Sequence, residues 1–161
     1  MAEGGNDGKT AAEAGQPNLS VMTQYVKDFS FENPGAPKSL RARSVTPNIN
    51  VSIGVSSSLA GEGDYEVELR IDARAVDGQA VLFAIELVYA GVFHFTNIPP
   101  DQLRPVALIE CPRLLFPFAR QIVADASRNG GFPPLFIDPV DFVAMYRQQL
   151  AGEAGQSAAP N

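Results

Sequence analysis

One histidine, one cysteine and a concentration of carboxylates are the reactive groups of this chain. His94, in Val92-Phe93-His94-Phe95-Thr96, has the only side chain type that titrates near neutral pH, the usual requirement for a general base. A lone histidine among strand-forming residues is nevertheless more often structural. Cys111 precedes Pro112 at an expected helix start, where a helix dipole lowers a thiol's pKa. No histidine stands near it in sequence to activate it, so a buried or incidental thiol is the plainer reading. No phosphate loop, dinucleotide fingerprint, paired metal motif or serine elbow occurs. These residues point away from an enzyme and imply neither a cofactor nor a metal.

The carboxylates are placed unevenly. Glu62, Asp64, Glu66, Glu68, Asp72, Asp77 and Glu86 face only Arg70 and Arg74 in the same stretch, which therefore holds most of the net charge of −6. Such a face is either simply solvated or a negative docking surface for a basic partner. Nucleic acid wants the opposite sign and is not an expected partner.

The elements that carry these groups read as strands. Tyr65, Val67, Leu69, Ile71 and Ala73 alternate with Glu66, Glu68, Arg70, Asp72 and Arg74, the period of a half-buried strand. A turn at Val76-Asp77-Gly78-Gln79 follows, with Asp77-Gly78 expected at the two positive-φ positions of a type I′ hairpin. The next strand is apolar on both sides: Val81, Phe83, Ile85, Leu87 and Tyr89 line one face, and Leu82, Ala84, Val88 and Ala90 line the other around Glu86. Such a strand must be covered on both faces, which predicts a second copy or a partner over the sheet.

Upstream, Val21 to Phe31 predicts a strand with Met22, Gln24, Val26, Asp28 and Ser30 on one face. Val21, Thr23, Tyr25, Lys27, Phe29 and Phe31 fall on the other. Asn33-Pro-Gly-Ala-Pro37 ends it. Ile49, Val51, Ile53 and Val55 alternate with Asn48, Asn50, Ser52 and Gly54 in another strand, with Ser56–Gly63 as its loop. Short links make consecutive strands expected antiparallel neighbours. Prolines at 99, 100, 105, 112 and 117 confine any helix before Pro112 to a short or kinked one. Leu115, Phe118, Ala119, Ile122, Val123 and Ala126 then mark one face of a main helix, stopped by Gly130-Gly131. Phe132-Pro-Pro-Leu-Phe136 is an aperiodic apolar loop. Asp138 and Pro139 open a last helix as N-cap and first residue. The pattern predicts an α+β domain: a four-stranded antiparallel sheet with a kinked main helix and a C-terminal helix on one face.

The chain of 161 residues predicts one domain at 21–150 between a disordered leader, 1–20, and a disordered tail, 151–161. No apolar run approaches the roughly 20 residues that span a bilayer, so no direct membrane insertion is expected. The N-terminus lacks a basic-then-apolar signal, which predicts a cytoplasmic protein. A single cysteine excludes an internal disulfide and a cysteine-based zinc cluster. What remains is surplus apolar surface, the mark of an interacting protein.

Several segments together resemble the SecB family of bacterial protein-export chaperones. They are Tyr25-Val-Lys-Asp-Phe-Ser-Phe-Glu-Asn-Pro34 with Ala36-Pro37, Asp64-Tyr-Glu-Val-Glu-Leu-Arg70, and Glu86 through Gly91-Val-Phe93. Cys111-Pro-Arg-Leu-Leu-Phe-Pro-Phe-Ala-Arg120 and Gly131-Phe-Pro-Pro-Leu135, with Asp138-Pro-Val-Asp-Phe142 after it, complete the set. The resemblance spans Val21 to Leu150. It implies a homotetramer, a dimer of dimers with helices sandwiched between dimers, in the cytoplasm of a Gram-negative bacterium. It implies binding of unfolded precursor proteins without ATP and their delivery to the SecA translocation ATPase. Asp28, Glu32 and Glu86 match the acidic positions that contact SecA. Ile49, Val51 and Ile53, with the crossover loop Phe132, Pro133, Pro134, Leu135 and Phe136, are the expected client groove. The weakly acidic tail, with Glu153 alone, departs from the family's motor-docking tail, and the leader is longer than some members need. Two other readings stand beside this one: a SecB-like chaperone dedicated to one partner such as an antitoxin, and a hotdog-like enzyme built on His94 with Asp101.

Overall fold

The computed structural model describes residues 15–157. Four strands, β1 (Asn18–Glu32), β2 (Asn48–Gly61), β3 (Asp64–Asp77) and β4 (Ala80–Thr96), form one antiparallel sheet in the order β1-β4-β3-β2. The expected neighbour rule holds for β2, β3 and β4 but not for β1. The proline-rich segment 33–47 carries the chain from one edge of the sheet to the other, so β1 pairs with β4.

The serine run expected to be a loop continues β2 as far as Gly61, paired with Asp64. The β3–β4 turn also differs from expectation. Asp77 pairs with Ala80, so Gly78 and Gln79 are its central residues, and only Gly78 has positive φ, at 59°. That is the II′ pattern, with glycine at the first central position.

The helical layer covers one face. α1 (Pro100–Pro105) runs through a π-helical turn (Val106–Glu110) into α2 (Cys111–Asn129), and α3 (Phe142–Ser157) follows an irregular crossover. Prolines at 100, 105 and 112 all fall within this segment, and the π turn lies between the last two. The buried stripe of α2 comprises Cys111, Pro112, Leu115, Phe116, Ala119, Val123, Ala124 and Ser127. Phe118, expected inside, is 53% exposed and stacks on Tyr89, with ring centroids 6.3 Å apart. The stripe packs on Val67, Leu69, Ile71, Ala73 and Ala75 of β3 and on Phe83, Ile85, Leu87 and Phe93 of β4. Gly131, at φ 91°, turns the chain out of α2.

The last helix is capped by Asp141, whose Oδ1 accepts from the Ala144 N–H at 3.0 Å, not by Asp138. The chain from Asp138 to Asp141 is irregular instead of helical. α3 also continues past the expected boundary at Leu150 to Ser157, with Arg104 of α1 paired to Glu153 at 2.5 Å. At the other end β1 begins at Asn18, inside the expected leader; residues 1–14 and 158–161 lie outside the described residues.

Candidate functional site

Two surfaces bring expected functional residues together. The first is the sheet face away from the helices. Two β-bulges in β1, after Val21 and after Val26, shift its alternation twice. Leu19, Val21, Gln24, Val26, Phe29 and Phe31 therefore register with the helix-side residues of β4. Thr23, Tyr25, Asp28, Ser30 and Glu32 register with the open-face ones, so the simple alternation expected for β1 is wrong. The pairing of β1 with β4 gathers the acids: Ser30 pairs with Glu86, and Asp28 and Glu32 flank Ser30 on the same face. Asp72 lies directly across from Glu86 on β3. A depression of about 420 Å³ opens there among Asn50, Ser52, Asp72, Arg74, Ala84 and Glu86.

The acids of this face divide into two groups. Glu66 accepts from the Tyr25 hydroxyl and from Lys27 Nζ at 3.0 Å, and Lys27 also pairs with Glu68. The Tyr25 hydroxyl and then the Lys27 ammonium hold the Glu66 carboxyl below its ordinary range. The same contacts raise Tyr25, chiefly through its hydrogen bond to Glu66, and raise Lys27, chiefly through Glu68. Asp28, Glu32 and Glu86 are exposed and, among the described residues, form no ion pair.

Tyr25 and Lys27 have a second consequence. They reach from β1 across β4 to β3, so side chains from both neighbours close over the open face of β4. Ala90 is wholly buried and Val88 nearly so in a single chain. The two-faced apolar strand thus needs no second copy to cover it, because long side chains from its neighbours do so.

The second surface is a groove at the β2 edge. Ile49, Phe83, Phe132, Pro133, Pro134 and Leu135 wall a cavity of about 230 Å³. Val51 and Ile53 share the helix-side face with Ile49 by register but lie outside the cavity; Ile53 packs at the core margin. Phe136 also lies outside, 59% exposed, with the Arg120 guanidinium 5.7 Å from its ring centre. Phe132 anchors the crossover on Phe83 at 4.9 Å between centroids, and Phe83 stacks on Phe31 at 6.1 Å.

Sequence reasoning missed the residue that holds this loop in place. Ser127, wholly buried in α2, accepts from the Leu135 N–H at 2.8 Å through its Oγ. The same hydroxyl donates toward the carbonyls of Val123 and Ala124 at 3.0 Å, and the Ser127 carbonyl accepts from the Phe132 N–H at 3.1 Å. A serine at i+4 from Val123 on an apolar helix face was the available signal.

The groups considered for catalysis are dispersed. His94 Nδ1 lies 2.7 Å from Asp64 Oδ1, its cross-strand partner, and not with Asp101, which is exposed in α1. Cys111 is wholly buried, and desolvation with Glu110 beside it pushes its thiol up to about 12. The helix runs on through the π turn on its N-terminal side, so no free helix end lowers that value. Among the described residues no group of three or more potential metal ligands occurs, and no helix is long and apolar enough to cross a membrane.

Helices on one face of the sheet, an apolar groove at one edge and unpaired acids on the open face define an α+β binding domain. The family model for the preprotein translocase subunit SecB matches residues 12–153. Curated relatives named protein-export protein SecB include that of Xanthobacter autotrophicus, 59% identical over 92% of this chain and 94% of its own length. Those of Afipia carboxidovorans, at 55% over 91% of each chain, and Bartonella quintana, at 52% over 89% and 90%, agree. Among solved structures, a SecB-like chaperone of Mycobacterium tuberculosis in complex with an antitoxin peptide shares the fold. Its TM-score is 0.62 at 13% identity, over 76% of this chain and 91% of that one. The chain belongs to the SecB family.

Proposed function

We propose that this chain is an ATP-independent export chaperone. It binds unfolded precursor proteins in the cytoplasm, keeps them competent for translocation and hands them to the SecA motor. The observation that carries the reading is the family match along residues 12–153. Physically, an unfolded client offers apolar side chains over long extended stretches. The groove of Ile49 and the crossover loop takes such groups one at a time, and several weak contacts along one client sum to a tight complex. Nothing in this role requires bond chemistry, which agrees with a non-enzymatic protein. Asp28, Glu32 and Glu86 supply unneutralised charge for a basic surface of SecA. Val21, Val26 and Phe29 of β1 and Leu114 and Phe118 of α2, all exposed, favour assembly through the helix side into a homotetramer, a dimer of dimers.

The test is aggregation of a chemically unfolded precursor, followed by light scattering without nucleotide. Suppression at near-stoichiometric chaperone is expected. An unchanged aggregation curve overturns the reading, and protection confined to one client would mark a chaperone dedicated to that partner.

A further inference from the structure

One row of residues crosses the open face of all four strands: Ser52 of β2, Asp72 of β3, Glu86 of β4 and Ser30 of β1 are successive register partners. Two carboxylates thus stand directly opposite each other on neighbouring strands, an arrangement that destabilises a sheet. Among the described residues no cation bridges them. Arg70 Nε reaches only Asp72 Oδ2, at 3.4 Å, and Asp72 Oδ1 is buried without a hydrogen-bond partner. In the next row Asn50, Arg74, Ala84 and Glu32 are partners. The single methyl group of Ala84 leaves the depression of about 420 Å³ open beside Asp72 and Glu86. Two rows away in the other direction, Glu68 already has its cation in Lys27.

We propose that this depression receives one arginine or lysine side chain of the basic partner, seated between Asp72 and Glu86, which makes Asp72 a docking residue. The inference rests on the reading that the open face meets SecA, and it adds where on that face a side chain enters. An incoming guanidinium or ammonium supplies the donor that Asp72 Oδ1 lacks and lies between two carboxylates that otherwise repel each other. Among the lining residues Asp72 and Glu86 face Arg74 alone, so one further positive charge brings the depression to neutrality. Asn50 and Ser52 at its rim offer side-chain oxygens to the remaining N–H groups. Ala84 admits the guest, because a longer side chain at that position would occupy the same space.

The test is titration calorimetry of the full-length protein with purified SecA at low salt. Asp72→Asn is expected to weaken binding about three- to tenfold. Glu68→Gln removes the same charge from the same strand and face, but at an acid that Lys27 already neutralises, and should weaken binding less than about twofold. Ala84→Leu fills the depression without altering charge and should weaken binding to an extent similar to Asp72→Asn, whereas Ala84→Ser should leave it unchanged. Far-UV circular dichroism and thermal melts check that each variant is folded. Should Ala84→Leu fail to fold, the contrast between Asp72→Asn and Glu68→Gln decides alone. Equal losses for those two, or a folded Ala84→Leu that binds as the wild type does, overturn the proposal and leave docking on Asp28, Glu32 and Glu86 standing. A wild-type protein that does not bind SecA overturns the docking reading and the seat at Asp72 with it.

Discussion

Glu66 shows how single side chains tune the open face. Its carboxyl is held below the ordinary value of 4.5 by the Tyr25 hydroxyl and the Lys27 ammonium. A depressed carboxyl stabilises the fold above its unfolded pKa and ceases to do so as pH falls through the lowered folded value. Glu66→Gln should therefore lower stability by about 1 kcal/mol at neutral pH. In thermal melts from pH 7 to pH 3, the gap between wild type and variant should narrow below about pH 4.5. A gap constant across that range would mean that the ionised form of Glu66 contributes nothing. The same contacts explain why Glu66 and Glu68, acids by sequence, offer less to a partner than Asp28, Glu32 and Glu86.

Among the elements, the crossover between α2 and α3 depends most on contacts remote in sequence. Its apolar residues have no period, yet Phe132 and Leu135 are held by the Ser127 carbonyl and hydroxyl. Removing that hydroxyl leaves the Leu135 N–H without its acceptor. Ser127→Ala should cost about 1–3 kcal/mol. Hydrogen exchange at the Leu135 amide should accelerate, and client affinity should weaken with it. Unchanged exchange at that amide would show that the loop is held by the Phe83–Phe132 packing alone.

For the whole molecule, Val21, Val26 and Phe29 of β1 and Leu114 and Phe118 of α2 form an exposed apolar rim on the helix side. Ala90 and Val88 are already buried within one chain, whereas Phe118 and Met22 stay more than half exposed. Assembly through the rim predicts that Phe118→Asp lowers the mass measured by light scattering, from near four chains toward two or one, with an unchanged far-UV circular dichroism spectrum. An unchanged mass would remove Phe118 from the subunit contact.

The sequence by itself determined the kinds of element and their family. The period of two in β2 and β3, the helical spacing in α2 and the motifs around Tyr25 and Cys111 are local, and local patterns survive without knowledge of what packs where. Alternation failed at β1, because bulges at Met22 and Lys27 arise only from pairing with β4. It also could not show that β1 lies beside β4, nor that Asp141 and not Asp138 caps α3. The candidate sites were legible as residue lists and not as places. Asp28, Glu32 and Glu86 meet because β1 pairs with β4 in a register that sets Ser30 opposite Glu86. Ile49 meets Phe132 because the segment 33–47 and the crossover fold over the same edge. Those meetings depend on register and on contacts between distant residues, which the tertiary structure alone decides.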